Sequence, residues 1–312
     1  MILILGSGSV GSLYGSILYT NGKEVIFIGQ SMHIETIKNN GLQIEGLFNL
    51  SVEPKHAGTF NYLYNFLEEV SEQIEYILVT TKAHQTRIAA EEILPIVSKK
   101  TVFISIQNGI GTEDILKELF PQNVILRAIT SVGVNRPEPG KIVFTGEGTI
   151  LVGATTQNVL EIEIAKEFIR LLSQSGLKSR YTDNIKGAVF TKTIVNCALN
   201  PLTALYKVQN IRIKEDEKLA EKARLLAQEA WEVAKALDIQ LTVKNPVEYL
   251  YEVIDNTAQN TNSMLQDVLN KKKTEIEFLN GKIISLGEKC GVDVSNNKEV
   301  YEQIISLEKT FD

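Results

Sequence analysis

Ile2-Leu-Ile-Leu5-Gly6-Ser7-Gly8-Ser9-Val10-Gly11 joins a short, continuous apolar run to a glycine-rich turn. A helical pattern through Leu13, Ile17 and Leu18 follows and stops at Asn21-Gly22. The apolar run reads as a strand buried on both faces, as in a parallel sheet. The turn is G-x-G-x-x-G with a strand before it and a helix after it. In that context the glycines allow a tight bend, close backbone approach to a pyrophosphate and close helix–strand packing. The helix N-terminus then offers N–H groups and positive dipole to the anion. A glycine-rich turn without a ligand is the competing reading, and the strand–turn–helix context favours the dinucleotide. Gly6, Ser7, Gly8, Ser9, Val10 and Gly11 are therefore candidate cofactor residues.

The next apolar strand, Glu24–Ile28, runs into Gly29-Gln30-Ser31. An acidic residue here suits the ribose 2′-hydroxyl of NAD, and a basic one the 2′-phosphate of NADP. Gln30 is neither, so this position leaves the coenzyme open, and Ser31 reads as the cap of a helix from Ile34 to Asn40. Leu42–Glu45 and Leu50–Glu53 alternate and predict a hairpin, and Asn61–Ser71 reads as helix. Strand Tyr76–Thr80 leads to Lys82, at the end of a strand where doubly wound sheets bind ligands. Lys82 is either a phosphate contact or a surface lysine. Strand Thr101–Ser105 leads to Gln107-Asn108-Gly109-Ile110-Gly111. There Asn108 either reaches a nicotinamide ribose or substrate, or simply forms a turn with Gly109. Val124–Ser131 reads as a strand, Lys141–Thr145 and Thr149–Gly153 as a hairpin, and Leu177–Tyr181 as an edge strand.

Beyond Asp183 the pattern is helical: Ile185–Tyr206, Lys214–Leu237, Val247–Leu269, Thr274–Cys290 and a short helix near the end. Alternating strands and helices followed by helices alone predict an α/β plus all-α protein. Residues 1–182 form a Rossmann-type dinucleotide-binding domain and residues 183–312 an all-helical substrate and catalytic domain.

The 312 residues suffice for two cores, and 44% hydrophobic with 22% charged residues describes an ordinary globular chain. A net charge of −6 argues against a nucleic-acid or anionic-membrane partner. Lys271-Lys272-Lys273 is too short to change that. Cys197 and Cys290 lack metal spacing and suit reduced thiols. No apolar stretch approaches a membrane span or a signal peptide, which leads to a cytoplasmic expectation. The long amphipathic helices carry an expectation of self-association as a homodimer.

Lys192-Thr-Ile-Val-Asn196-Cys-Ala-Leu-Asn200-Pro-Leu-Thr203 sets a cation and two amides four residues apart, on one helix face among apolar neighbours. Polar groups in an apolar helix are costly unless they are needed there. The bland alternative is a hydrogen-bonded polar seam. Delivery of a hydride to a carbonyl also needs a proton. His33, His56 and His84 all lie in the first third, zinc ligands are lacking, and Tyr19-x-x-x-Lys23 sits at the wrong end of its helix. Lys192 remains as the acid, its pKa falling on partial desolvation. Asn196 and Asn200 would then hold substrate oxygens. Pro201 is expected to kink or end this helix and free carbonyls near Asn200. Ser263 and Glu275 read equally well as surface or helix-end residues.

Taken in order, six segments resemble the ketopantoate reductase (2-dehydropantoate 2-reductase) family over essentially the whole chain. They are Gly6-Ser-Gly-Ser-Val-Gly11, Thr81-Lys-Ala-His-Gln85, Gln107-Asn-Gly-Ile-Gly111, Lys192-x3-Asn196-x3-Asn200-Pro-Leu-Thr203, Ser263-Met-Leu-Gln-Asp267 and Thr274-Glu-Ile-Glu-x-x-Asn-Gly281. The resemblance implies NADPH-dependent reduction of 2-dehydropantoate to (R)-pantoate, toward pantothenate and coenzyme A. It implies Lys192 as general acid, Asn108 beside nicotinamide and substrate, and Asn196 and Asn200 on the substrate. Ser263 would bind the substrate carboxylate, and Glu275 would bond cofactor and catalytic groups. Lys82 would lie near the 2′-phosphate or ribose, and Val134 near the nicotinamide. Many members carry Arg where this chain has Gln30, so the NADPH expectation rests mainly on Lys82. NADH with another small 2-oxoacid is the alternative, and a non-catalytic dinucleotide sensor or scaffold a remote one.

Overall fold

A computed structural model describes residues 1–29, 32–67 and 74–311. Gln30 and Ser31, and the end of the helix expected over residues 61–71, lie outside them. The chain divides into two compact units, Met1–Gln107 with Gly111–Ile185, and Asn108–Ile110 with Lys186–Asp312.

The first unit is built on strands β1 (Ile2–Leu5), β2 (Val25–Ile28), β5 (His56–Gly58), β6 (Tyr76–Val79), β7 (Val102–Ser105), β8 (Ile125–Thr130), β11 (Ile150–Ala154) and β12 (Ser179–Tyr181). They form one sheet in the order β12-β11-β8-β7-β6-β1-β2-β5, parallel except where β11 runs against β8. Strand β1 is buried at every position because alternate residues serve opposite faces. Ile2 and Ile4 join the core with Leu13 and Tyr14 of α1 (Ser9–Thr20) and Phe168 of α6 (Val159–Gln174). Leu3 and Leu5 join the opposite core with Ala90 of α4 (Thr86–Ile93) and Leu116 of α5 (Thr112–Leu119). Successive strands step outward through β2 and β5 on one side of β1, and through β6, β7 and β8 on the other. The order therefore reverses between β1 and β6, the place where such sheets bind ligands at their carboxyl ends.

A second sheet, β4-β3-β10-β9, comprises β3 (Leu42–Gly46), β4 (Leu50–Val52), β9 (Gly133–Glu138) and β10 (Lys141–Gly146). The expected β3–β4 hairpin forms. The hairpin expected between Lys141–Thr145 and Thr149–Gly153 does not. Strand β10 pairs with β9 and β3, while β11 enters the large sheet.

The second unit is helical. Its first helix, α7 (Ile185–Tyr206), continues through Pro201 rather than ending there. Two expected helices are each broken by a capping side chain. Asp216 accepts from the N–H groups of Lys218 and Leu219, separating α8 (Asn210–Glu215) from α9 (Glu217–Ala236). Asn262 accepts from Leu265 N–H, separating α10 (Pro246–Asn256) from α11 (Ser263–Leu269). The expected helix over Thr274–Cys290 is a 3-10 turn (Ile276–Phe278) followed by α12 (Asn280–Cys290), and the last, α13 (Ser295–Glu308), is not short. Helix α9 packs against α8, α10, α12 and α13 through residues such as Leu226, Ala230 and Val233. No helix among the described residues is long and apolar enough to cross a membrane.

Candidate functional site

The glycine loop leaves β1 at Gly6, whose φ of +101° is open to glycine at little cost. Ser7 turns inward, its N–H and hydroxyl both donating to the Ile28 carbonyl at the end of β2. A Cβ on Gly11 would lie 2.6 Å from the Gly6 carbonyl oxygen and 2.8 Å from Ile4, so packing requires this glycine. Gly8 differs. Within its own unit and among the described residues, a Cβ there would meet nothing beyond its chain neighbours closer than the Gly6 carbonyl oxygen, at 4.0 Å. Packing does not explain its missing side chain, and the open space there leaves room for close backbone approach of a pyrophosphate. Ser9 begins α1, no side chain caps that end, and Val10 packs partly into the core. The residues present fit a dinucleotide.

His33, in the first turn of α2 (Met32–Asn40), pins this loop to the second sheet. The Gly140 N–H donates to His33 Nδ1 at 2.9 Å. That leaves Nε2–H to donate to Ser12 Oγ at 3.1 Å, and Ser12 in turn donates to the Ser7 carbonyl. Burial, reinforced by the Arg136 guanidinium and partly opposed by a backbone hydrogen bond at Ser7, lowers the His33 pKa to about 4. It is a neutral structural imidazole at physiological pH.

Lys82 stands at the carboxyl end of β6, one residue past Thr81, which packs against Gly6. Val134 is half-buried in β9, paired with Phe144. Gln30 lies outside the described residues. Gln107 is held firmly: its amide donates to the Thr81 carbonyl and to Thr86 Oγ1, and its own carbonyl accepts from fully buried Arg127 at 2.6 Å.

In the second unit, every residue of α7 from Gly187 to Ala204 is buried except Lys192 and Asn196. These two keep partial access one turn apart, about 6 Å along the axis, and buried Asn200 follows a turn later. Cys197, between the asparagines, is fully buried, and burial pushes its thiol far above the ordinary range, so it is inert.

Asn108 Nδ2 donates to Glu275 Oε2 at 3.3 Å. Gly109, at φ +86°, lies so close to Phe278 that a Cβ would stand 2.8 Å from the Phe278 Cβ, and the Ile110 N–H donates to the Phe278 carbonyl at 3.0 Å. Glu275 is 6% exposed at the head of the 3-10 turn. Its neighbour Thr274 is fixed by hydrogen bonds from N–H and hydroxyl to Glu308. The segment around Asn108 and the segment around Glu275 are thus brought together.

Ser263 begins α11 just after Asn262, whose amide donates to Thr203 Oγ1 and, at 3.3 Å, to Asn210 Oδ1. Thr203 donates to the Asn200 carbonyl. Ser263 is therefore brought to the far end of the Lys-Asn-Asn ladder. The tie that does this, Asn262–Thr203–Asn210, was not singled out from the sequence. Its one local signal is an Asn in the N-cap position.

Comparison with known proteins follows the same division of the chain. The description "Ketopantoate reductase PanE/ApbA" matches residues 2–157, and "Ketopantoate reductase PanE/ApbA C terminal" matches residues 184–308. A 2-dehydropantoate 2-reductase of Pyrococcus horikoshii is 35% identical, covering 95% of this chain and 93% of the relative. That of Archaeoglobus fulgidus is 30% identical, covering 98% and 97%. Among solved structures, D-mandelate dehydrogenase with NADH and anilino(oxo)acetate superposes with a TM-score of 0.90 at 27% identity, covering 99% of each chain.

Proposed function

The chain belongs to the ketopantoate reductase family, and on that premise we propose that it reduces 2-dehydropantoate to (R)-pantoate with NADPH, toward pantothenate and coenzyme A. The observation that carries the reading is the α7 ladder, a helix buried from Gly187 to Ala204 except at Lys192 and Asn196. A partly accessible cation and amide within that buried stretch are hard to explain by stability alone.

Bound reduced nicotinamide supplies the hydride to the C2 carbonyl carbon. Lys192 gives a proton to the carbonyl oxygen as negative charge develops there. Asn196 and Asn200 orient the substrate's oxygens, and Ser263 receives its carboxylate. Asn108, tied to Glu275, would contact nicotinamide and substrate, and Glu275 would bond cofactor and catalytic groups. The Gly6–Gly11 loop would hold the pyrophosphate and Val134 would serve the nicotinamide end. Lys82, beside the strand-order reversal, supports NADPH because a cation there suits a 2′-phosphate. Gln30 is assigned to the same adenosine end, as a neutral side chain. The reading includes a cytoplasmic setting and self-association through amphipathic helices, the latter checked by light scattering.

A second reading, an NADH-dependent reductase of another 2-oxoacid, is favoured by the likeness to D-mandelate dehydrogenase with NADH. One assay separates the two: NADPH and NADH, each offered with ketopantoate and with several other 2-oxoacids, following loss of reduced-nicotinamide absorbance. The proposal expects the highest kcat/KM for NADPH with ketopantoate. Faster turnover of NADH with an aryl 2-oxoacid transfers the assignment to the second reading, and no oxidation with any pair overturns both.

A further inference from the structure

Pro201 has no N–H, so the carbonyl four residues back, that of Cys197, loses its donor within the helix. Cys197 sits between Asn196 and Asn200, so the gap opens inside the candidate substrate ladder. The gap is filled from another helix. Asn280, the first residue of α12 and 0% exposed, donates from Nδ2 to the Cys197 carbonyl at 3.0 Å. Its second Nδ2 hydrogen goes to Asn297 Oδ1 at 2.9 Å. Asn297, also fully buried, donates to Glu229 Oε2 from its amide at 2.8 Å and from its backbone at 2.9 Å. Glu229 Oε1 accepts from the backbone and side chain of Asn296. A chain of hydrogen bonds thus runs from α7 through α12 and α13 to a carboxylate of α9.

The amide of Asn280 shows which half of it matters. Among the described residues Oδ1 is buried with no hydrogen-bond partner, while Nδ2 spends both hydrogens. A buried acceptor left unsatisfied costs free energy, so a side chain that tolerates one is held there for its donors. We propose that Asn280 is a positioning residue, replacing the backbone donor that Pro201 removes and so keeping Asn196 and Asn200 in helical register with Lys192. Anchored through Asn297 to Glu229, the donor cannot drift. The inference deepens the proposed function and rests on that reading of the ladder as a substrate site.

The test is a double-mutant cycle, because Pro201→Ala restores the N–H that Asn280 replaces. In the wild-type background, Asn280→Leu is expected to lower kcat about 10- to 100-fold, the scale of a small misplacement of reacting groups. Dinucleotide affinity, read by nicotinamide fluorescence, is expected to stay unchanged. In the Pro201→Ala background the same substitution is expected to cost less than about threefold, because the Cys197 carbonyl then has a helical donor. Equal kcat losses in both backgrounds, or a loss of melting temperature with kcat intact, overturn the inference. Amide hydrogen exchange over residues 198–204 reads the contact without activity. Asn280→Leu should accelerate it in the wild-type background and much less beside Pro201→Ala, and equal acceleration in both also overturns the inference. If the wild-type chain turns over no 2-oxoacid, it is the reading of function that fails, and the exchange cycle still decides the helix contact.

Discussion

Replacing His33 with Gln should flatten the acid limb of the stability curve. The imidazole is 3% exposed, accepts from Gly140 N–H and donates to Ser12. Protonation would place a hydrogen on Nδ1, where the Gly140 N–H already points, and would add a charge facing Arg136. The folded state therefore holds the neutral form, while the unfolded chain takes a proton at the ordinary value of 6.5. Below that value the unfolded state binds more protons, so stability falls as pH falls from 6.5 toward about 4. At about 1.4 kcal/mol for each tenfold change in proton affinity, the largest loss is about 3 kcal/mol. Glutamine can supply one acceptor and one donor without titrating. Urea unfolding of both proteins between about pH 7 and about pH 4.5 should show wild type losing up to about 2 kcal/mol more than His33→Gln. Because His33 joins α2 to the glycine loop, dinucleotide affinity should weaken over the same interval in wild type alone. Parallel stability curves for the two proteins would refute the reasoning.

Other substitutions separate folding from binding. Gly8→Ala should fold with nearly unchanged stability but bind the dinucleotide at least about tenfold more weakly, by fluorescence titration. Gly11→Ala, whose Cβ would press on the Gly6 carbonyl, should instead lose about 1–3 kcal/mol in thermal or urea unfolding. Asp216→Ala removes the cap of α9 and should cost about 1 kcal/mol of stability with turnover unchanged. Gly109→Ala, at φ +86° against Phe278, should lower kcat and stability together, as measured by steady-state kinetics and calorimetry.

The dinucleotide half was legible because its chemistry is local. An apolar run, a G-x-G-x-x-G turn and a helical period fall within a few residues, and β1 and α1 follow them closely. Strand β5, His56–Gly58, escaped notice because it is short and has no β-branched residue, so only its pairing with β2 makes it a strand. The parallel pairing of β3 with β10, nearly a hundred residues apart, leaves no local trace. The expected helix over Lys214–Leu237 was too long because its periodic pattern hides Asp216, which acts as a cap only where the chain turns. In the candidate site, regular spacing points to Lys192, Asn196 and Asn200, whereas only the family resemblance points to Ser263 and Glu275. Pro201 signalled a freed carbonyl. What the sequence could not convey is that a side chain nearly eighty residues away, Asn280, takes the missing bond in a helix that continues past Pro201.

The central claim, hydride transfer to a 2-oxoacid with Lys192 as proton donor, is tested most directly by comparing wild type and Lys192→Ala with NADPH and ketopantoate. The account predicts ketopantoate-dependent NADPH oxidation by wild type. It predicts a turnover about 10²- to 10⁴-fold lower in the variant, with NADPH affinity nearly unchanged. Near-normal turnover by Lys192→Ala would contradict it.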